Sequence, residues 1–390
     1  MSIVKKVTAV IAAAAVCVSC MAAMSACRTK DETVLTFKNG DKSYEVKAGT
    51  YLCFLMSSYD SFRSKYDSAL QSSSKTTAKS FDYEDQKLDD KDYDAWIKEN
   101  CYNSAAEYAF VEMECERLGI KVDDAQKATI EQTASQYWAN MGDTYESNGV
   151  SYGTLKNMII NQDLKRSSLY SYYYGEVTDA EKKESPEKGS KRPSNKEIQK
   201  WLNENFLIAD TLTFDFTKSD STSNSTETVT DKEKEAGKKK LQALADKYNK
   251  GNVSFAEIYK EYNGKDITKS TEAKKPKDEY AQIFGSDKTG SSSSAYDFED
   301  IKKQKLNNAV VLESSDGYML VVKQDISKDS YYFDVLKETV VSYSQADAFG
   351  DWISSKAKEL KCDKNESAVS YYKPQRIKEP TTVATTSSAT

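Results

Sequence analysis

The chain has 390 residues and a formal net charge of −6. It is long enough for two domains or for one domain that carries an insertion, and its acidity argues against nucleic acid as a partner, because phosphate binding needs a basic face. The sequence contains no histidine, which excludes histidine-based catalytic triads and imidazole ligands for zinc. We predict no metal and no cofactor.

The first predicted element is an export signal over residues 1–26. Lys5 and Lys6 supply its positive start, and residues 7–24 supply an apolar stretch rich in alanine and valine. The stretch ends in MSAC, which is similar to a bacterial lipobox and makes Cys27 the candidate lipidation site. This interpretation places the protein on the extracytoplasmic side of the cell membrane, held by a lipid anchor. The alternative is an ordinary cleaved signal peptide with an incidental cysteine.

Residues 27–194 are predicted to form a helical domain that opens with a β-hairpin. Residues 34–46 alternate in polarity around Asn39-Gly40, which is a strong hairpin signal. Residues 51–66 have an apolar side typical of a helix. Residues 67–90 are rich in serine, lysine and aspartate, and we predict a loop there.

The clearest element of this domain is an amphipathic helix over residues 93–118. Its apolar residues recur at steps of three and four, and Gly119 follows where a left-handed turn would end the helix. Further helices are predicted over residues 123–140 and from Ser151 onward. A charged, proline-containing linker over residues 181–194 closes the domain.

Residues 195–328 are predicted to form a second domain, because the apolar period there changes between 3.6 and 2. Its predicted elements in chain order are a helix at 195–205, a strand at 209–216, a flexible polar loop at 219–230, a helix at 231–249, a short helix capped by Ser254 and Glu257, mostly loop over 263–294, a helix at 298–305, and a hairpin of strands 310–313 and 318–323.

The last predicted element is a long helix within residues 329–361 with a continuous apolar stripe. An isolated amphipathic helix must bury its stripe, so we expect it to pack on the helices before residue 176. The predicted fold class is therefore α+β, with a discontinuous helical domain into which the second domain is inserted. The tail, residues 362–390, is predicted to be disordered from its composition.

Four segments of the chain add to this order of elements: IADTLTF at 208–214, LADKYNKGNVSFAEIYKEY at 244–262, YDFEDIKKQKL at 296–306 and DGYMLVVK at 316–323. Together, the order and these segments resemble the PrsA and SurA type of extracytoplasmic foldase, a helical chaperone domain with an inserted parvulin-type peptidyl-prolyl isomerase domain. The resemblance implies unfolded or newly exported polypeptides as partners.

The resemblance also implies a peptide-binding set of Thr211, Phe298 and Met319. Parvulins usually carry histidines at the positions of Thr211 and Met319, and a methionine at the position of Ser294, so the isomerase site is degenerate. Phe298 corresponds to the phenylalanine that lines the proline pocket. From the residues alone, an ordinary strand hydroxyl is the favoured interpretation of Thr211, and core packing explains Phe298 and Met319 at least as well as peptide contact does.

These observations predict a membrane-anchored foldase that acts first as a chaperone, and they leave its enzymatic activity open. One alternative is an active peptidyl-prolyl isomerase that uses Thr211, and another is a non-catalytic, lipid-anchored binding or adhesin module. The oligomeric state is also open, a homodimer included. Either free thiols or a disulfide pair would fit the remaining cysteines, which are Cys53, Cys101, Cys115 and Cys362.

Overall fold

A computed structural model describes residues 31–72, 83–220, 225–264, 279–290, 296 and 298–379. The predicted signal peptide and Cys27, the candidate lipidation site, lie outside the described residues. The chain divides into two compact units. The first contains the residues up to Tyr172 together with those from Ala348 onward, and the second is Tyr173–Asp347. Helices and small antiparallel sheets occur together, so the fold class is α+β, as predicted.

The first unit begins with two strands and continues mainly as helices. In chain order its elements are β1 (Thr33–Asn39), β2 (Lys42–Lys47), α1 (Ala48–Ser72), the short strands β3 (Lys87–Leu88) and β4 (Lys91–Asp92), α2 (Tyr93–Leu118), α3 (Asp124–Ser147), α4 (Tyr152–Ile159), a π-helical segment (Ile160–Lys165) and α5 (Arg166–Tyr174). Gly119 has a φ of 65° and caps α2, which confirms the predicted end of that helix.

The second unit holds a four-stranded and a two-stranded sheet, and the chain then returns to the first unit within its longest helix. From the start of the second unit onward, the elements in chain order are α6 (Asp179–Glu184), α7 (Asn195–Asn205), β5 (Phe206–Asp215), β6 (Thr217–Asp220), β7 (Ser225–Thr228), α8 (Asp231–Asn249), α9 (Phe255–Asn263), β8 (Ala281–Gly285), α10 (Phe298–Lys302), β9 (Ala309–Glu313), β10 (Gly317–Gln324), α11 (Ser330–Lys358), β11 (Lys361–Lys364) and α12 (Glu366–Tyr371), the last two of which belong to the first unit. None of the helices in the described part of the chain has the length and apolar character needed to cross a membrane.

The sheet of the first unit joins strands from opposite ends of the chain. Its order is β11-β1-β2, with Leu35 opposite Lys364 and Phe37 opposite Cys362. Our prediction of disorder from residue 362 is therefore wrong for residues 362–379, which form part of β11, then α12, then a 3-10 turn at Pro374–Arg376. Composition misled us because backbone pairing with β1, rather than side-chain hydrophobicity, holds this strand in place.

Aromatic side chains hold the helices of the first unit together. Phe62 of α1 is fully buried, and its ring meets those of Tyr93 and Trp96 of α2 edge-on, with centroids 5.1 and 5.6 Å apart. The C-terminal half of α11 packs here as well, because Trp352 meets Phe110 of α2 at 5.3 Å. Such pairs stabilise a core by about 0.5–1.5 kcal/mol each beyond the area they bury.

The second unit is built on an antiparallel sheet of order β8-β5-β10-β9. Residues two apart along a strand share a face, so β10 supplies Leu320 and Val322 to one face and Met319 and Val321 to the other. The first face packs in a cluster with residues of α8 and α9, and the second packs in a cluster with Phe298 and Ile301 of α10. The sheet is thus buried on both sides.

Several predicted boundaries in this unit were wrong. Part of the polar loop predicted at 219–230 is instead the β6–β7 hairpin, and the loop predicted at 263–294 contains β8, which pairs with β5. β6 and β7 contain no hydrophobic residue and pair with each other, whereas β8 is only five residues long and gains its stability by pairing with β5. The helix predicted at 298–305 ends at Lys302.

Candidate functional site

The three predicted peptide-binding residues lie on one face of the second unit's sheet. In the β5–β10 register, Thr211 is opposite Val321 and Met319 is opposite Thr213. Phe298 of α10 belongs to the same apolar cluster as Met319. All three residues therefore lie on the same side of the sheet.

The three side chains are interior residues rather than the walls of an open pocket. Met319 is 1% exposed, Thr211 4% and Phe298 8%. The hydroxyl of Thr211 donates to the carbonyl of Tyr280 at 3.2 Å, so its hydrogen bond is already used within the fold. Met319 thus matches the core-packing alternative. Ser294, at the position of the usual pocket methionine, lies outside the described residues.

An open cavity lies instead in the first unit, where α1 and α3 meet the end of the described chain. Its volume is about 540 Å³. Apolar side chains line part of it, among them Met56 of α1 and Tyr145 and Met141 of α3, and Met141 is 37% exposed. Methionine is unbranched and polarizable, and it adapts to partners of different shape.

The polar side of this cavity carries a cation held by aromatic rings. The guanidinium of Arg63 lies 4.9 Å from the centroid of the Tyr83 ring and 5.4 Å from that of the Tyr59 ring. It donates to the carboxylate of Glu379 at 2.7 Å, and the Tyr59 hydroxyl donates to the same carboxylate. Burial, followed by the hydrogen bond with Glu379, raises the pKa of Tyr59 to about 12, so this hydroxyl stays a donor at neutral pH.

Asn148, at the C-terminal end of α3, binds the main chain of the residue before Glu379. Its side-chain amide donates to the carbonyl of Lys378 at 2.9 Å, and its carbonyl oxygen accepts the Lys378 N–H at 2.8 Å. Asn148 also donates to the carbonyl of Thr144 at 2.8 Å, which fixes its orientation. Because both bonds go to backbone atoms, this contact does not depend on which side chain stands at position 378.

A second cavity of about 430 Å³ lies on the other side of the C-terminal segment, which we define as residues 374–379. Its lining includes Leu52 of α1, Gly149 and Tyr372. Ile377 and Lys378 line both cavities, so the segment forms the wall between them. We call the two cavities with the segment between them the segment groove.

Sequence reasoning missed the segment groove because its polar groups are far apart along the chain and because the tail was predicted to be disordered. The tail did contain a sign of order, because disordered segments have few bulky apolar residues. The tail has Tyr371, Tyr372 and Ile377.

The described residues contain no group of three or more His, Cys, Asp or Glu side chains arranged to hold a metal ion. The chain matches no family model and no curated protein sequence.

Proposed function

We propose that the mature protein is a membrane-anchored, extracytoplasmic foldase that binds unfolded or newly exported polypeptides in the segment groove. In this proposal the first unit is the discontinuous chaperone domain, the second unit is an inserted domain of parvulin ancestry, and Cys27 carries the lipid anchor. The observation that carries the proposal is the seating of residues 377–379, a piece of ordinary polypeptide, between α1 and α3.

The chemistry of the groove suits clients that vary in sequence at the residue that Asn148 holds through its main chain. Main-chain hydrogen bonds give affinity that is independent of the client's side chains, while pockets beside them accept apolar groups. The exposed Met141 supplies such an apolar and adaptable surface. A groove of this kind holds an extended chain, which is the state in which exported polypeptides arrive.

The second unit supports chaperone action more than catalysis. Rotation of an X–Pro bond crosses a barrier of roughly 18–20 kcal/mol, and a catalyst must hold the proline and direct polar groups at the twisted bond. Phe298 and Met319 are packed in the interior, and the Thr211 hydroxyl is bonded to Tyr280. The foldase assignment therefore rests on the first unit.

Suppression of client aggregation by the mature chain tests the proposal. Met141→Lys places a charge in the groove, and we expect it to raise the amount of protein needed for half-suppression about fivefold, the equivalent of about 1 kcal/mol. Tyr137→Lys is the matched control, because Tyr137 is on the same helix, is 55% exposed and does not line the cavity. It should behave like the unmodified chain.

A protease-coupled isomerisation assay on the same preparations separates the alternatives. Isomerase activity that Thr211→Val abolishes would identify an active isomerase instead. A chain that neither suppresses aggregation nor isomerises, yet binds one folded partner, would be a lipid-anchored binding or adhesin module. Equal suppression by the Met141→Lys and Tyr137→Lys variants would remove the segment groove from the proposal.

A further inference from the structure

The C-terminal segment shows which features of a polypeptide the groove can recognise. Ile377 has an extended backbone, with φ −68° and ψ 126°, and its side chain is half-buried between the two cavities. Lys378 is held only through its main chain in the described contacts with Asn148. Glu379 reaches Arg63 and Tyr59 with its carboxylate.

These three contacts define a pattern of one apolar residue, one unrestricted residue and one acidic residue in an extended chain. The carboxylate is selected by charge as well as by geometry, since the Arg63 guanidinium and the Tyr59 hydroxyl converge on one carboxylate oxygen of Glu379. Hydrogen bonds that involve ionised groups are roughly twice as strong as neutral ones. A glutamine at the same position would keep the shape and lose the charge.

Building on the proposed foldase function, we propose that the segment groove selects extended polypeptides with this apolar–any–acidic pattern, and that residues 377–379 are an internal competitor for the same site. Because the segment belongs to the same chain, its binding is intramolecular, at an effective concentration set by the length and stiffness of its connection to α12. A client must displace the segment, and a weak client fails to do so. The segment thereby sets the minimum affinity that a client needs in order to bind in the groove.

Two substitutions weaken the competitor without altering any side chain of α1 or α3. Glu379→Gln removes the carboxylate. Lys378→Pro removes the N–H that Asn148 accepts, and the extended backbone of Ile377 is compatible with a following proline. The chain that carries both is the released variant. Glu359→Gln is the control for the Glu379→Gln part of this variant, because it also removes one carboxylate from an exposed ion pair, here with Lys356, and changes the net charge by the same amount as Glu379→Gln alone.

Binding to the groove is measured by fluorescence anisotropy. The probe is a labelled, end-blocked peptide, KPQRIKE, which copies residues 373–379. We expect the released variant to bind it about tenfold more tightly than the unmodified mature chain, since the competitor loses a partly exposed ion pair and a main-chain hydrogen bond. The Glu359→Gln chain should bind like the unmodified chain.

The acidic preference is tested with the peptide KPQRIKQ and with Arg63→Gln added to the released variant. The released variant should prefer the glutamate peptide about three- to tenfold, and Arg63→Gln should abolish that preference. Equal affinities of the unmodified and released chains, no binding of KPQRIKE by either, or a glutamate preference that survives Arg63→Gln would each overturn the inference.

The outcome is independent of the aggregation assay. Peptide binding that follows these expectations in a chain that fails to suppress aggregation would remove the foldase function and leave the recognition pattern. Suppression of aggregation by a chain whose peptide affinity does not change on release would leave the foldase function and remove the competitor.

Discussion

Gly317, the first residue of β10, is the position where one methyl group should cause most damage to the second unit. A Cβ added there would lie 2.5 Å from the carbonyl oxygen of Phe214 and 3.2 Å from the Cα of Asp215. These atoms are the backbone of β5, the partner strand, so no change of side-chain rotamer relieves the contact. The strands have to separate where Gly317 pairs with Asp215.

The magnitude follows from two opposing effects. Replacing glycine by alanine restricts the unfolded chain and stabilises the fold by about 0.5–1 kcal/mol where the geometry tolerates it. Overpacking costs typically 1–3 kcal/mol, and a rigid backbone neighbour places this case near the upper end. We therefore expect Gly317→Ala to destabilise the second unit by about 2 kcal/mol.

Hydrogen exchange in urea is the appropriate assay, because a chain with two compact units need not unfold in one step. Peptides that cover β5 and β10 should lose protection at a urea concentration lower by roughly 1 M, given a slope of about 2 kcal/mol per M. Gly350→Ala in α11 is the control, since an added Cβ there meets no atom within 4 Å; it should leave β5 and β10 unchanged. An unchanged or raised midpoint for Gly317→Ala would refute the reasoning.

Three further predictions concern other parts of the chain. Gly237→Ala should destabilise α8 despite the better helix propensity of alanine, because its Cβ would lie 2.6 Å from the ring of Phe214; a raised urea midpoint would contradict this. The Glu181 carboxyl should titrate at about pH 2 when followed by NMR, because hydrogen bonds from Lys188 and Thr178 lower its pKa. The stability that the ionised carboxylate contributes is present above about pH 4.5 and is lost as the pH falls towards 2, and Lys188→Met should raise the pKa of Glu181. At pH 8, Ellman's reagent should label three buried free thiols only after unfolding, because burial raises their pKa values; fast native labelling of any of them would contradict the structure. These thiols are Cys53, Cys101 and Cys115.

The sequence predicted best those helices whose ends carry their own signals. The helices Tyr93–Leu118, Asn195–Asn205 and Asp231–Asn249 were predicted to the residue. Each has a strong apolar period, and each has a local cap, such as the αL glycine Gly119 or the capping box of Ser194 with Glu197. The information for these elements lies within a few residues.

The elements that we predicted wrongly are those that depend on a pairing partner elsewhere in the chain. β8 exists because β5 offers it an edge, and β11 exists because β1 does. β11 contains a single apolar residue, and the five residues of β8, AQIFG, do not alternate regularly in polarity. The segment groove could not be predicted for the same reason, because Arg63, Asn148 and Glu379 come together only when the tail packs against α1 and α3.

The β11–β1 pairing has a consequence for the order in which the two units fold as the chain is made. The central strand of the first unit's sheet borders one strand that directly follows it in the chain and another that follows the described strands of the second unit. Until residues 361–364 have been made, one edge of β1 lacks its partner strand, whereas the described strands of the second unit are already present. We therefore expect the second unit to become native first, and the first unit to follow once β11 can pair with β1.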